Sequence, residues 1–530
     1  MSLVAWAIEV AVFVPLRKTF FYLPPADTFS SGILAGCLVR VPFGRGVRAG
    51  VVLAPVSIEA VGERQLKAII EVIDPVPVIA PELMRLAHWA SDYYQHPLGE
   101  VLAATLPGTL RHKHAPARRQ IYEWVVADAC DKVELKRKAP RQAALLDRIG
   151  TCSVTVDDFD ALDFDWRRPL RELEKKGLII RRACATSSVA RLANALELNA
   201  AQSNAAAILI KSFGSFSAHL LHGVTGSGKT EVYIAAIANA LASNLTALML
   251  VPEIILTEAM VVRLKQRFGG AVGVLHSGLS ATARAHVWLG CRDGEIKVLM
   301  GTRSAVWAPL PRLGIIIVDE EHDSSFKQQE GFRYNARDVA IKRAQQVGVP
   351  IVVGTATPSL EAYLNVKKNK YVYLSLPQRA GDARLPTISC IDMRGLPING
   401  GLSDRLSRAL GECLERGEQA LLFLNRRGFA PVVLCHQCGH IAMCKRCDAK
   451  LVWHKERQAL ICHHCGGHQR TQYIAACCTS PDLVPLGFGT EQVEETLKDR
   501  FPGKVIARID RDTMRRKNAM DETFAAIRDG

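Results

Sequence analysis

The sequence predicts an α/β multidomain protein built around parallel sheets, and three observations carry that expectation. Six continuous apolar runs, His219–Leu221, Ala247–Val251, Val298–Met300, Ile315–Val318, Ile351–Val353 and Ala420–Leu424, alternate with helical stretches. That is the pattern of strands covered on both faces by crossover helices. Ahead of them, residues 1 to about 112 break into short β-rich runs punctuated by Gly and Pro. Behind them, eight of the 15 cysteines crowd between Cys435 and Cys478.

Taken in order, the apolar start Met1–Leu16 reads as a strand. It carries Glu9 and Pro15 and lacks the cationic lead and small-residue cleavage site of a signal peptide. A second strand runs through Leu38–Gly44, and a helix is expected around Pro81–Tyr94. From Arg111 to Arg148 ten Lys or Arg face five Asp or Glu. The helix inside Arg168–Arg182 should close at Gly177 and run into a short basic strand, as at the end of a winged-helix domain; a plain surface helix and strand is the alternative. Ser187–Asn204, rich in Ala, Ser and Asn, reads as a linker. With 530 residues and 48% apolar side chains, the chain suits several packed domains and excludes global disorder. Its net charge of +15 favours a polyanionic partner. No segment supports membrane insertion. Cysteines gathered in pairs within a large chain point to metal rather than disulfides, and so to the cytoplasm.

The segment Gly223-Val224-Thr225-Gly226-Ser227-Gly228-Lys229-Thr230 is a G-x-x-x-x-G-K-T loop between an apolar strand and the helical run Glu231–Leu241. Its glycines let backbone N–H groups approach phosphate oxygens, and the helix N-terminus adds positive charge. Lys229 is expected at the β- and γ-phosphates and Thr230 on Mg²⁺. Ninety residues on, Ile315-Ile-Ile-Val-Asp319-Glu320-Glu-His322 delivers acids to a strand end, where open α/β sheets bind nucleotides. Asp319 completes the Mg²⁺ shell in this reading, and Glu320 orients and deprotonates the attacking water.

The cysteine block contains Cys435-x-x-Cys438, Cys444-x-x-Cys447 and Cys462-x-x-Cys465, then Cys477-Cys478. Two residues between thiolates let one turn present both sulfurs to a tetrahedral ion, so two such knuckles make a closed structural Zn²⁺ site.

Asp319-Glu-Glu-His322 has the form of the superfamily 2 helicase signature, and further pieces follow in order. Gln202 resembles an adenine-reading glutamine. Val251-Pro-Glu-Ile254, His276-Ser277 and Gly301-Thr-Arg-Ser304 sit where strand-end loops face single-stranded DNA. Gly354-Thr-Ala-Thr-Pro-Ser359 resembles the motif coupling hydrolysis to lobe movement. With Gly223–Tyr233, Asp319–Asp338, Leu424-Asn-Arg-Arg-Gly-Phe-Ala-Pro431 and the cysteine block, the chain resembles the PriA (primosomal protein N′) family of bacterial replication-restart helicases from about residue 10 to its last residue.

The resemblance implies a β-rich 3′-end DNA-binding domain at 1–112 and a winged-helix-like domain with linker at 113–196. Two RecA-like lobes follow: lobe 1 at 197–375, and lobe 2 at 376–432 and 481–530, interrupted by a zinc insertion at 433–480. It implies an ATP-, Mg²⁺- and Zn²⁺-dependent 3′→5′ DNA helicase, cytoplasmic and nucleoid-associated, that recognises abandoned forks and begins replisome reloading. Implied partners are forked and single-stranded DNA, other primosome proteins, the replicative helicase loader and single-strand-binding protein. Phe20, Gly44 and Lys67 fall at positions of the family's 3′-end pocket, although Phe21 stands where the family has an acid. Phe326, Phe332 and Tyr334, interleaved with Lys327, Arg333 and Arg337, resemble its aromatic-rich loop; stacking beside cations suits single-stranded DNA, and ordinary packing is the alternative.

In the family the inner pairs share one zinc and the outer pairs another. The inner set is intact here, whereas Ala475-Ala-Cys477-Cys478 replaces the last C-x-x-C, so the outer site needs Cys477 or a histidine beside Cys435, Cys438 and Cys478. The later helicase motifs, including the arginine finger, do not follow within residue 530. The alternative expectation is therefore a truncated protein that binds forked DNA and ATP without unwinding.

Overall fold

A computed structural model describes residues 6–25, 34–61, 65–74, 76–111, 122–126, 139–149, 165–183, 197–252, 258–379, 386–394, 396, 398–399, 401–424, 432–435, 440–447, 449–454, 459–462, 465–469, 483–486, 490–509 and 523–527. The chain divides into two compact units, Met1–Arg384 and Leu385–Gly530.

The first unit opens with strands β1 (Trp6–Val12), β2 (Phe20–Tyr22), β3 (Leu38–Phe43), β4 (Gly46–Ser57) and β5 (Glu71–Asp74), in the antiparallel order β2-β1-β4-β3-β5. Gly44, at φ +58°, makes the tight turn that lets Phe43 pair with Gly46. One face of the sheet buries Ile8, Val10, Val39, Val41 and Val52 in a core of its own. The other face does not stand apart from the rest of the unit. Helices Pro81–Tyr93 and Leu98–Thr105 pack Leu83, Leu86 and Leu102 into one continuous core with Trp288, Trp307, Phe326 and Val339. Pro81 starts the first of these helices at a position where no N–H is needed. Gly99 lets the second approach β1, since a Cβ there would lie 1.8 Å from the Val12 carbonyl oxygen. Fully burying each of these large side chains stabilises by about 1.5–3 kcal/mol, so residues 81–105 belong energetically to the parallel-sheet unit.

Strands β6 (Tyr122–Val126) and β7 (Ile179–Ala183) pair antiparallel. With helices Pro140–Ile149 and Arg167–Lys175 they enclose a small separate core of Trp124, Leu145, Leu146, Leu170, Leu173 and Ile179. The second helix ends as expected before Gly177, at φ +66°.

Seven parallel strands then form the main sheet: β8 (Ala218–Gly223), β9 (Thr246–Leu250), β10 (Val272–Leu275), β11 (Val298–Gly301), β12 (Leu313–Asp319), β13 (Ile351–Thr355) and β14 (Tyr371–Leu376). Their order is β10-β11-β9-β12-β13-β8-β14. Five of the six apolar runs lie in this sheet. Ala420–Leu424 is a correction: it forms no strand, and Leu421 and Phe423 are 90% and 81% exposed. An apolar run becomes a strand only where a neighbour satisfies its backbone, and among the described residues none pairs with it. The linker expected up to Asn204 is also corrected, because Asn199 caps a helix over Ala200–Lys211.

In the second unit, β15 (Ile398–Asn399) and β16 (Leu402–Ser403) precede helix Asp404–Glu415, and helix Thr490–Arg500 adds Val493 and Leu497 to Leu402 and Leu410. Strands β17 (Val432–Cys435), β18 (Val452–His454), β19 (Ala459–Ile461), β20 (His468–Gln469) and β21 (Leu483–Leu486) form an antiparallel sheet ordered β20-β19-β18-β17-β21. Among the described residues of this unit every strand pair is antiparallel. Among the described residues of the chain no helix is long and apolar enough to cross a membrane.

Candidate nucleotide site and metal centre

The glycine-rich loop leaves β8 at Gly223 and enters the helix Lys229–Ala242. Gly226 and Gly228 take φ of +78° and +79°, the left-handed conformation that turns successive N–H groups inward. Gly223 is needed as well, because a Cβ there would meet the Ser227 hydroxyl at 2.4 Å. The Lys229 ammonium donates to the Gly223 carbonyl at 3.2 Å and lies 3.6 Å from the Glu320 carboxylate.

Strand β12 carries Asp319 to the same edge of the sheet. Burial, reinforced by the charge of Glu320, pushes the Asp319 carboxyl up to about 6, against the hydrogen bond from Tyr233 and the charge of Lys229. A buried carboxylate beside a second acid is a donor set that suits a divalent cation, with Thr230 at the mouth of the loop. Glu320 sits at φ +46°, uncommon for a residue with a Cβ and the kind of strain found at functional turns. His322 joins this group, with Nδ1 2.8 Å from Thr355 Oγ1 and 3.6 Å from Glu320. The Thr355 hydroxyl lies 3.4 Å from Glu320 and accepts from Thr357 N at 3.0 Å. The Gly354–Ser359 segment thus touches the acids directly.

Two residues missed from the sequence complete the site. Tyr233, fully buried, donates its hydroxyl to Asp319 Oδ1 at 2.9 Å. A Cβ on Gly354 would fall 1.6 Å from that hydroxyl. Glu321 is the other. Its buried carboxylate accepts from Ser359 N at 2.7 Å and from Arg337 at 2.8 Å. The signal for Tyr233 was faint: a tyrosine one helical turn past the phosphate loop, on an otherwise apolar face.

Gln202 is buried, with both ends of its amide engaged. Its Oε1 accepts from Asn199 N and its Nε2 donates to the Ser227 carbonyl, each at 2.9 Å. It therefore ties the helix start to the phosphate loop.

The DNA-contact expectations divide. Phe326, Phe332 and Tyr334 are 1%, 5% and 5% exposed; Phe332 and Tyr334 stack on each other and pack with Trp307, Tyr94 and His96, and Phe326 lies in the same core. Their rings lie in the core rather than on display, because each finds more apolar surface there than water offers. Arg337 points to Glu321 instead of outward. Lys327 and Arg333 are on the exposed side of the loop, where the Lys327 ammonium donates to the Arg333 carbonyl at 2.7 Å. Phe20 stands edge-on to Phe43, beside Gly44, at a centroid distance of 5.1 Å. Lys67 accepts the Leu23 N–H through its carbonyl, at 2.9 Å, and its side chain is exposed. Glu9, opposite Phe21, accepts from Thr19 at 2.7 Å and brings a carboxylate to that edge.

In the second unit Cys444, Cys447, Cys462 and Cys465 bring their sulfurs within 4.8 Å of one another. Two pairs stand at 3.6 and 3.5 Å, near the S···S edge of about 3.8 Å that tetrahedral Zn–S bonds of about 2.3 Å require. The Arg446 N–H on its sulfur holds the Cys444 thiol below its ordinary range, whereas the neighbouring thiols Cys462, Cys465 and Cys444 help push Cys447 up to about 12, the mutual repulsion of thiolates that a bound cation would relieve. Gly466, at φ +69°, turns the second knuckle. These four residues fit zinc. Of the outer set, Cys435 is buried at the end of β17, while Cys438, Cys477 and Cys478 lie outside the described residues.

A phosphate loop and a strand-end Asp-Glu-x-His meeting on a parallel sheet define a P-loop nucleoside triphosphatase of the helicase type. Comparison with known families agrees: the "DEAD/DEAH box helicase" family matches residues 199–366, the "3'DNA-binding domain (3'BD)" of PriA residues 9–107, and the "PriA DNA helicase Cys-rich region (CRR) domain" residues 444–470. Replication restart protein PriA of Haemophilus influenzae is 40% identical across 99% of this chain and 72% of its own length. The protein of that name from Chlamydia pneumoniae is 34% identical across 96% of the chain and 70% of its own length, and that of Bacillus subtilis 44% identical across 59% and 39%. The chain belongs to the PriA family of replication restart helicases.

Proposed function

We propose that this chain is an ATP-dependent helicase that moves 3′→5′ along DNA, recognises abandoned forks and begins replisome reloading. The observation that carries this reading is the convergence of Lys229, Asp319, Glu320, His322 and Thr355 at one sheet edge. In it Lys229 and the loop N–H groups would hold the β- and γ-phosphates, and Thr230 and Asp319 would hold a Mg²⁺ that, when bound, would supply charge neutralisation to the phosphoryl group. Glu320 accepts the proton of the attacking water. His322 and Thr355, already bonded to each other, sense the state of Glu320 and pass it to the Gly354–Ser359 segment. Phe20, Gly44 and Lys67 take part in binding a strand end, and Lys327 and Arg333 meet the DNA backbone.

The reading extends to an outer zinc site built on Cys435, to primosome proteins, the replicative helicase loader and single-strand-binding protein as partners, and to a cytoplasmic, nucleoid-associated location. Strand displacement on duplexes carrying either a 3′ or a 5′ single-stranded tail tests it. Unwinding should require ATP, Mg²⁺ and the 3′ tail, and should vanish in Lys229→Ala; unwinding from the 5′ tail would refute the direction.

A further inference from the structure

A cavity of about 610 Å³ lies where the helical end of the N-terminal module meets the parallel-sheet unit, and two neighbouring arginines, Arg111 and Arg284, are among its lining residues. Arg111 ends the short turn Gly108–Arg111, which docks on the helix Ala281–Arg292 through a hydrogen bond from Thr109 Oγ1 to the Ala281 carbonyl at 3.3 Å. Arg284 stands in the first turn of that helix, which holds no acid. Burial, and then the nearby charge of Arg284, lower the pKa of Arg111. Arg111 gives Nε to the Leu106 carbonyl at 3.1 Å, while Arg284 Nε is buried without a hydrogen-bond partner. Among the described residues neither guanidinium has an ion pair. The cavity's third arginine, Arg303, is already taken up by the Ser325 and Lys327 carbonyls at 3.0 and 3.2 Å. Its acids do not answer the pair: Glu100 lies 2.9 Å from His96, and Glu330 is exposed.

Two neighbouring cations at a helix N-terminus, itself the positive end of a dipole, repel until an anion joins them. A guanidinium fork matches the geometry of a phosphate. Ser277, Thr302 and Ser304, from the loops after β10 and β11, line the same cavity. We propose that Arg111 and Arg284 together seat one backbone phosphate of the bound DNA strand, so that the N-terminal module and the motor sheet grip the same strand. The inference rests on the DNA-helicase reading and adds a site to it.

The test uses fluorescence anisotropy of a labelled single-stranded oligonucleotide across a series of salt concentrations. Losing one single-strand phosphate contact should lower the slope of log affinity against log salt by about 0.7 in the Arg111→Ala/Arg284→Ala variant, with adenine-nucleotide affinity unchanged. Methylphosphonate replacement at single positions should reveal one phosphate whose neutralisation weakens the parent chain but not the variant. If the double alanine variant fails to fold, Arg111→Gln/Arg284→Gln keeps the side-chain stems and should show the same loss. An unchanged slope in a folded variant overturns the seat. So does protection of the parent, but not the variant, by inorganic phosphate when DNA binding is unaltered, since the site would then serve free phosphate. A parent chain that binds no oligonucleotide overturns the helicase reading as well.

Discussion

Replacing Gly354 with alanine should damage the nucleotide site through one atom. The new Cβ would stand 1.6 Å from the Tyr233 hydroxyl, and ordinary contact begins at 3.4 Å, so the hydroxyl must retreat by about 3.4 − 1.6 = 1.8 Å. It has little room to move, because the ring is fully buried in a close-packed core that also holds Ala236, Ile317 and Val352. Overpacking costs about 1–3 kcal/mol, and loss of the 2.9 Å bond to Asp319 adds about 1.5–3 kcal/mol for a charged partner. Gly354→Ala should therefore destabilise the first unit by about 3–5 kcal/mol. Tyr233→Phe alone loses only the hydrogen bond, about 1.5–3 kcal/mol. On that background the Cβ meets the ring carbon at 2.9 Å, a far milder conflict. The double variant should then fall short of the sum of the singles by about 2 kcal/mol, a coupling expected only of groups in contact. Urea unfolding at pH 8 followed by circular dichroism measures the cycle. A titration with a fluorescent adenine nucleotide should show both single variants needing more Mg²⁺ because Asp319 has lost its orientation. Additivity within about 0.5 kcal/mol, or a silent Gly354→Ala, would refute the steric and orienting roles together.

Lys229→Ala should weaken Mg-ATP binding; equal affinity in variant and parent by titration calorimetry would remove Lys229 from the phosphate site. Arg337→Ala should cost about 2–4 kcal/mol, toward the low end for a broken buried pair because its side chain is 19% exposed, and Arg337→Lys should restore part of it; thermal unfolding reads both. Elemental analysis should find at least one zinc per chain, with one lost in Cys447→Ser; a zinc-free protein purified without chelator would dismiss the cluster. For Asp319 the folded pKa, about 6, lies above the ordinary 3.8, so its contribution to stability is full below pH 3.8 and lost as pH rises through 6. Mg²⁺ must displace that proton, so Mg-nucleotide affinity should climb between pH 5 and 7 and the climb should flatten in Asp319→Asn; an identical climb in that variant would assign it to another group.

The phosphate loop, the acids of β12 and the inner cysteines were legible because each is a local pattern, a few residues whose spacing alone brings the chemistry together. Five of the six apolar runs were legible for the same reason, since a strand buried on both faces needs no partner to be recognised. The aromatic loop misled: Phe326, Phe332 and Tyr334 beside cations look the same whether the rings face solvent or core. What decides is Trp307 and Tyr94, far away in sequence. Tyr233 and Glu321 were hard to read because their partners, Asp319 and Arg337, lie on other elements. β14 alternates weakly as an edge strand, and nothing in Tyr371–Leu376 announces that it closes the sheet beside β8.

The continuous core that joins Leu83, Leu86 and Leu102 to Trp307 and Val339, with Glu82 clasping the buried Arg343 at 2.8 Å, has a bearing on how such a motor can be assembled and inherited. A gene segment starting at residue 197 would encode a sheet with one flank stripped of its cover, sticky and lacking a counter-ion for Arg343. Between Arg111 and Glu197, the described residues Trp124, Leu145, Leu170 and Leu173 bury one another in a core of their own. That excursion, rather than the amino-terminal portion, is the cartridge that recombination could exchange or delete while the engine block on either side stayed whole.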